Sequence, residues 1–301
     1  MPELALIFID TLVPVFLIVG LGYWIGPRLQ IEARSLARSA YYVFAPAFIF
    51  QILSVADLAA DVVFRVVGAL VLTTLLTGAL AFVAGRMLGR GGEVTAALIL
   101  VAVYGNVGNF GLPVVTFAFG EQALPLAGIA FLTVNAMAFL VGVTAATWHK
   151  SSPLRAFGTA LRTPALLVAI PAVLVNVGDA TLPLFADRAI GLLADAMIPV
   201  MLLTLGIQLA AMGRPHISFD VVLGSSFRLV LAPAITALLV FGMSLESADA
   251  GVTIVQSAMP AAVFSSIIAI EHDLVPDLVT TTVLFTTIAS AVTLALLLVL
   301  L

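Results

Sequence analysis

The 301-residue sequence contains no cysteine and only three histidines. A chain without cysteine forms no disulfide and offers no thiol nucleophile, iron–sulfur ligand or cysteine-bound zinc. The histidines, His149, His216 and His272, are far apart in sequence, and none belongs to a spacing such as H-E-x-x-H. We therefore expect no metal centre, no haem and no other bound cofactor.

Charged residues are scarce as well. Only 9% of the residues are Asp, Glu, Lys or Arg, whereas a soluble domain carries about 25%. With 62% hydrophobic residues and a mean hydropathy of +1.24, the chain lacks the polar surface that a soluble or disordered protein presents to water. The net charge of −4 argues against a nucleic-acid-binding protein, which would carry a basic surface. The composition therefore predicts an all-α polytopic membrane protein, since the apolar runs do not alternate as in a membrane β-barrel.

The apolar runs between charged or turn-rich breaks predict ten transmembrane helices, each of about 20 residues. Because the N-terminal segment lacks a basic region and a cleavage site, we expect the first run to be a membrane span and not a removable signal peptide. In order, the predicted spans cover about residues 5–26, 36–54, 62–87, 94–119, 122–147, 164–178, 188–211, 219–244, 248–270 and 277–300. The bilayer is therefore an expected partner of most of the chain.

Lysine and arginine are unevenly distributed among the predicted loops. Nine of the twelve lie at odd-numbered loops, which all face one side of the membrane: Arg28, Arg34, Arg38, Arg86, Arg90, Lys150, Arg155, Arg162 and Arg214. By the positive-inside rule, we expect an inner-membrane protein whose odd loops are cytoplasmic and whose two termini face away from the cytoplasm. The ninth loop is an exception, since Glu271 and Asp273 make it acidic.

Matched helix breakers recur half-way along the chain. Pro46 in the second span corresponds to Pro199 in the seventh, and the segments 120–125 and 271–276 also align. Five spans in each half is an odd number, so the second half must enter the membrane from the opposite side. The pattern predicts two repeats, residues 1–150 and 151–301, related by an inverted topology that many secondary transporters share.

The fourth and ninth spans carry helix breakers at their centres. Tyr104-Gly105-Asn106-Val107-Gly108-Asn109-Phe110-Gly111-Leu112-Pro113 occupies the middle of the fourth, and Gln256-Ser257-Ala258-Met259-Pro260-Ala261-Ala262 the middle of the ninth. Glycine costs about 1 kcal/mol in a helix interior and proline about 3 kcal/mol. We predict that both spans are unwound there and cross, because non-helical backbone at mid-membrane lines a cavity or is buried in protein. The alternative is that the glycines only permit close helix packing and Pro113 a kink.

Two crossing broken helices would bring half-helix ends together at the membrane centre. Half-helices starting near Pro113 and near Pro260 would point free N–H groups and partial positive charge inward, which attracts an anion such as a carboxylate. The asparagines of the fourth span would add neutral amide donors. The candidate substrate-binding residues are Asn106, Gly108, Asn109, Pro113, Gln256, Ser257, Pro260 and Ser265.

The segment 105–113 resembles the fourth-helix motif of the auxin efflux carrier family, and the layout of the whole chain is similar to that family's. The resemblance implies a scaffold of helices 1, 2, 6 and 7, often dimeric, and a transport domain of helices 3–5 and 8–10 that moves like an elevator. It also implies an organic anion bound where the broken helices cross. The chain differs from the plant carriers with a long hydrophilic central loop, since its own loop covers only about residues 148–163, and it has no amide directly beside Pro260. Gln256, Ser257, Ser265 and Ser266 are the available substitutes.

Two charged residues are predicted within the membrane. Asp195 lies in the seventh span and Arg228 midway along the eighth. They could pair with each other, or Arg228 could be a counter-charge for the substrate; a structural ion pair or a snorkelling arginine is the alternative. No acidic residue lies in either broken segment, so a cation site there would need backbone carbonyls, amides and serines.

Together these features predict a secondary transporter for a small organic anion, working by alternating access. Dicarboxylates similar to malonate, monocarboxylates and auxin-like aromatic acids all fit the residues. A sodium- or proton-coupled carrier related to the bile-acid symporters, with another substrate, and a passive channel are the alternatives. An intramembrane enzyme is disfavoured because no histidine lies mid-span and no G-x-S-x-G motif occurs. Whether sodium, protons or the substrate gradient alone drives transport stays open.

Overall fold

The computed structural model describes residues 8–146, 162–212, 215–272 and 274–301. Within these ranges the regular structure is helical, with no strand beyond one isolated pair of bridged residues. Seven helices are long and apolar enough to cross a membrane, and four shorter helices are also apolar. The predicted all-α membrane fold is confirmed, while the count of ten crossings and the inverted relation of the halves stay predictions.

The helices follow the predicted spans closely, and two of those spans are each divided into two helices. In chain order they are α1 (Phe8–Leu29), α2 (Ala33–Ser54), α3 (Ala60–Met87), α4a (Gly92–Val103), α4b (Val107–Phe119), α5 (Glu121–Gly142), α6 (Pro164–Val177), α7 (Leu184–Ala210), α8 (Phe219–Gly242), α9a (Ser247–Ser257), α9b (Val263–His272) and α10 (Pro276–Leu300). The fourth and ninth spans are therefore broken, as the sequence predicts.

Four prolines within these helices follow widened turns. The five-residue π-helical turns Phe8–Leu12, Ala40–Phe44, Val107–Gly111 and Phe227–Leu231 each end two residues before a proline. Proline has no N–H and its ring clashes with the carbonyl four residues earlier. A π turn shifts the next hydrogen bond to the fifth residue, as from the Ala232 N–H to the Phe227 carbonyl. Pro46 and Pro233 thus lie in continuous helices.

Helix packing falls into two sets. α1 packs along α7, and α2 packs against α6 and α7. In the other set, α3 packs against α4a, α5 and α8, while α10 packs against α8 and α9b. Contacts between the sets come mainly from α4b with α7 and α1, and from α5 with α2. α4b therefore lies where the two sets meet.

Candidate functional site

The two helix breaks meet in the protein interior. The backbone N–H of Asn106 donates to the carbonyl of Pro260 at 2.7 Å, and the N–H of Ala262 donates to the carbonyl of Tyr104 at 2.8 Å. Gly105 and Ala261 thus form an antiparallel bridge between the fourth and ninth spans. We call the two segments, residues 104–106 and 258–262, the crossover. The predicted crossing of two unwound segments is present in the structure.

Helix α10 provides a further hydrogen-bond partner for the crossover backbone. The N–H of Ala261 donates to Oγ1 of Thr286 at 3.1 Å, and this hydroxyl donates in turn to the Thr282 carbonyl at 2.7 Å. Both threonines belong to α10. Because buried backbone groups need partners, such bonds allow non-helical chain to persist inside the protein.

Only one of the two second half-helices begins close to where the sequence predicts. α4b starts at Val107, six residues before Pro113, because its first turn is the π turn that accommodates this proline. α9b starts at Val263, and Pro260 lies in the break with its carbonyl accepting from Asn106. The predicted start near Pro113 is therefore wrong, whereas the start at Val263 lies within three residues of the one predicted near Pro260. The N-termini of both half-helices still lie next to the crossover, so their partial positive charges are close together.

Two of the predicted amides are buried with atoms that have no partner. Gln256 is fully buried, and neither Oε1 nor Nε2 of its side chain has a hydrogen-bond partner. Asn106 is 5% exposed, and its Nδ2 is likewise without a partner. The Gln256 amide oxygen lies directly over Gly111, where a Cβ would collide with it. Because an unsatisfied buried polar atom costs about 1–3 kcal/mol, these amides are poor choices for stability alone.

The remaining predicted residues of the fourth span lie on the π turn of α4b. Asn109 is partly exposed, and Gly108 is buried. A Cβ at Gly108 would lie 2.7 Å from the ring of Phe131 on α5 and 3.4 Å from Met201 on α7. Gly108 therefore allows close approach at the boundary between the two sets.

The predicted serines are less available. The hydroxyl of Ser257 donates to the Ile254 carbonyl at 2.7 Å, and that of Ser265 donates to the Ala262 carbonyl at 2.6 Å. Both donors are used within their own chain segments. Ser266, by contrast, is buried and its hydroxyl has no partner. Ser266 is therefore a better candidate than Ser265.

Arg228 and Asp195 do not pair. The guanidinium of Arg228 donates to three backbone carbonyls, namely those of Met259 at 2.9 Å, Ala102 at 3.0 Å and Ser257. Asp195 is exposed on α7. The predicted pairing is wrong because depth in the membrane, which the sequence indicates, does not determine which way a side chain points.

Comparison with known proteins decides the family. The family model described as "Membrane transport protein" matches residues 7–152 and 155–298. The chain belongs to the auxin efflux carrier family of membrane transport proteins. This confirms the resemblance seen in the segment 105–113, and it makes the chain an integral membrane protein of a transporter family.

Three named transporters align with this chain along nearly all of its length. An "Uncharacterized transporter" of Methanothermobacter thermautotrophicus is 29% identical over 293 residues, covering 95% of this chain and 96% of the relative. A second "Uncharacterized transporter", from Methanocaldococcus jannaschii, is 25% identical over 301 residues, with coverage of 95% and 96%. A Rhizobium meliloti protein named "Putative malonate transporter" is 27% identical over 296 residues, with coverage of 93% and 91%.

In this member of the auxin efflux carrier family, three aromatic rings gather beside the crossover, which the sequence did not predict. Tyr104 of the first break lies 5.9 Å from Phe264 and 6.3 Å from Phe139, measured between ring centroids. The Tyr104 hydroxyl donates to Oδ1 of Asn135 at 3.3 Å. The available signal is spacing: Phe131, Asn135 and Phe139 recur every four residues and share one face of α5.

Proposed function

We propose that this protein is a secondary transporter that binds a small organic anion at the crossover and carries it across the membrane by alternating access. One observation supports this proposal most strongly. Two broken helices meet beside the buried side-chain amides of Asn106 and Gln256, and atoms of both amides have no hydrogen-bond partner among the described residues. Broken helices that meet at mid-membrane are the usual site of substrate binding in secondary transporters.

The charge at the crossover supports an anionic substrate. Two half-helices, α4b and α9b, begin beside it, and each N-terminus presents free N–H groups with about half a positive charge. Amide N–H groups of Asn106 and Gln256 add donors of neutral charge. No acidic residue occurs in segments 104–113 or 256–262, so nothing in them repels a carboxylate.

Two classes of acid are candidates. The name of the Rhizobium meliloti relative favours a malonate-like dicarboxylate. The cluster of Tyr104, Phe139 and Phe264 favours an aromatic monocarboxylate, because aromatic rings stack on one another with centroids about 4.5–7 Å apart. A dicarboxylate leaves the aromatic cluster without a role in binding, so the two classes are separable by direct comparison.

The packing supports an elevator mechanism. In our proposal α1, α2, α6 and α7 form the scaffold, and α3–α5 with α8–α10 form a transport domain that slides against it. Contacts within each set are more extensive than those between sets. Gly108 lies where α4b meets α5 and α7, and a Cβ there would be 3.4 Å from Met201 of the scaffold. We further propose a homodimer through the scaffold and, from the distribution of Lys and Arg, an inner-membrane protein whose termini both face away from the cytoplasm.

Thermal stabilisation of the detergent-purified protein by a panel of acids tests this function. Malonate, longer dicarboxylates, short monocarboxylates and aromatic acids are added at several concentrations. A ligand of the native state raises its stability by about 2.7 kcal/mol at 100 times its Kd, so a true substrate produces a saturable rise in melting temperature. Shifts for neutral amino acids or metal cations alone, with none for any acid, would refute the anion proposal. Counterflow in liposomes then separates a carrier from a channel.

We predict that Asn109→Ala weakens binding of the substrate acid without harming the fold. Asn109 is partly exposed on the π turn of α4b, so its amide is free to donate to a carboxylate. Loss of a hydrogen bond to a charged group costs about 1.5–3 kcal/mol, which corresponds to a tenfold or greater rise in Kd. Calorimetric titration of the variant with the acid measures this Kd.

Asn176→Ala is the matched control for Asn109→Ala. Its amide donates to the carbonyls of Ser54 and Ala56, between α6 and the end of α2. We expect a lower melting temperature and an unchanged Kd. Equal Kd values for Asn109→Ala and the wild type would remove Asn109 from the site.

A further inference from the structure

Arg228 joins the ends of both broken helices. It lies in the π turn of α8, and only 4% of its surface is exposed. The three carbonyls to which its guanidinium donates come from Ala102 near the end of α4a, Ser257 at the end of α9a, and Met259 in the following break. A single side chain thus holds carbonyl groups from two halves of the chain.

These carbonyl ends carry partial negative charge. The last carbonyls of a helix have no partner within it, and each C-terminus is equivalent to about half a negative charge. α4a and α9a bring two such ends to one place, so together they require about one positive charge for compensation. The guanidinium supplies that charge and enough N–H groups to bond several carbonyls at once.

Among the residues that the structure describes, no carboxylate pairs with this guanidinium. Within the described ranges the ion pairs join Arg65 to Asp61 and Arg90 to Asp220, and neither involves Arg228. A small cavity beside the guanidinium is lined by threonines of α3 and by no acidic side chain. The helix ends are therefore the counter-charge of this buried cation.

The glycine of the first break accommodates the guanidinium. A Cβ added at Gly105 would lie 3.1 Å from Cζ of Arg228 and 3.2 Å from Nη2. The crossover backbone therefore rests on the flat face of the guanidinium group, which explains why this position in the motif is a glycine.

We propose that Arg228 is a built-in cation that takes the place of a coupling ion at the crossover, so that binding of the substrate does not require sodium. For transport, the inference rests on the function proposed above. A sodium ion at this place would have to displace the guanidinium from three carbonyls, and it would be repelled by the remaining positive charge. Arg228 is covalently part of α8, so the helix ends keep their counter-charge whatever the position of the transport domain.

Ion substitution with the wild-type protein is the first test. Melting curves with and without a bound acid are recorded in sodium chloride and in choline chloride at equal ionic strength. We expect the same melting temperature and the same ligand-induced shift in both salts. A ligand-induced shift that disappears without sodium would overturn the proposal.

Removal of the side chain is the second test, and it needs no substrate. Arg228→Ala should lower the melting temperature by about 10 °C, because the buried helix ends lose their cation. Millimolar methylguanidinium should restore about half of this loss, whereas urea, which is neutral and similar in shape, should not. Arg65→Ala is the matched control: Arg65 also donates to carbonyls at a helix end, those of Met243 and Ser244, but its side chain is exposed. Methylguanidinium should have no effect on this control, and the same absence of rescue in Arg228→Ala would overturn the proposal.

A charge comparison keeps the test decisive if Arg228→Ala does not fold. Arg228→Lys retains the positive charge, and Arg228→Met retains the length without the charge. We expect the melting temperature of the lysine variant to fall by less than half as much as that of the methionine variant. Equal decreases in melting temperature would show that packing and not charge matters, and would contradict the inference. These melts are read without any acid, so they remain interpretable even if the acid panel shows no ligand.

Discussion

Gly206→Ala is expected to destabilise the protein strongly, although it adds only one methyl group. A Cβ at Gly206 of α7 would lie 2.7 Å from the backbone nitrogen of Tyr23 and closer still to the carbonyl oxygen of Val19, both in α1. Backbone atoms of a packed helix cannot rotate away as a side chain can. α1 and α7 must therefore separate, and the contact between them is the most extensive helix pairing in the described structure.

The expected loss for Gly206→Ala is about 3 kcal/mol, or roughly 6–12 °C in melting temperature, because overpacking against backbone is relieved only by moving whole helices. Small residues at such positions let membrane helices approach closely, which is a main source of their association. Thermal melts of the purified variant measure the effect.

Gly20→Ala is the control on α1. Gly20 is exposed, and a Cβ there would have no atom within 4 Å. Alanine is the better helix former by about 1 kcal/mol, so this variant should melt at the wild-type temperature or slightly above it. If Gly206→Ala and Gly20→Ala have the same melting temperature, close backbone packing of α1 on α7 does not stabilise the protein.

Gln256→Leu is expected to raise the stability of the protein and to weaken its binding of the substrate acid. The Gln256 side chain is fully buried and neither of its polar amide atoms has a partner, so replacing it with an apolar side chain of similar size removes a cost of about 1–3 kcal/mol. The variant should therefore melt at a higher temperature than the wild type. Its Kd for the substrate acid should rise at least tenfold, because the lost amide is a donor to the carboxylate.

Gln208→Leu serves as the matched variant. The side-chain oxygen of Gln208 is also buried without a partner among the described residues, but Gln208 belongs to α7, whereas Gln256 lies two residues before the crossover segment 258–262. We expect higher stability with an unchanged Kd. Wild-type affinity in Gln256→Leu would exclude its amide from the binding site, and a lower melting temperature would show that the amide is structural.

The positions of the two breaks were predictable from the sequence, whereas the start of α4b after the first break was not. Glycine and proline act on the backbone at their own positions, so clusters such as 105–113 mark an interruption wherever the chain folds. Pro113 nevertheless lies inside α4b, because a π turn provides the space that its ring needs. Whether a helix stops at a proline or widens before it depends on the surrounding helices.

The partners of individual polar groups were the least predictable feature. Asp195 and Arg228 were reasonable candidates for an ion pair, but Arg228 instead bonds three carbonyls, two of them supplied by the ninth span. The bond between Tyr104 and Asn135, and the aromatic cluster beside it, likewise depend on how α5 lies against the crossover. Single-sequence patterns report the depth and the face of a residue within one helix, and not the neighbour that it meets.

The sequence by itself determined that this is an all-α membrane protein with two interrupted spans and a fourth-span motif of the auxin efflux carrier family. It could do so because hydrophobicity, glycine and proline act through local free energies that add along the chain. Only the tertiary structure decided that Gly105 lies against Ala261, that Arg228 bonds carbonyls at the ends of α4a and α9a, and that the Gln256 amide has no partner among the described residues. These features depend on contacts between segments distant in sequence, and such contacts form only when the whole chain is packed.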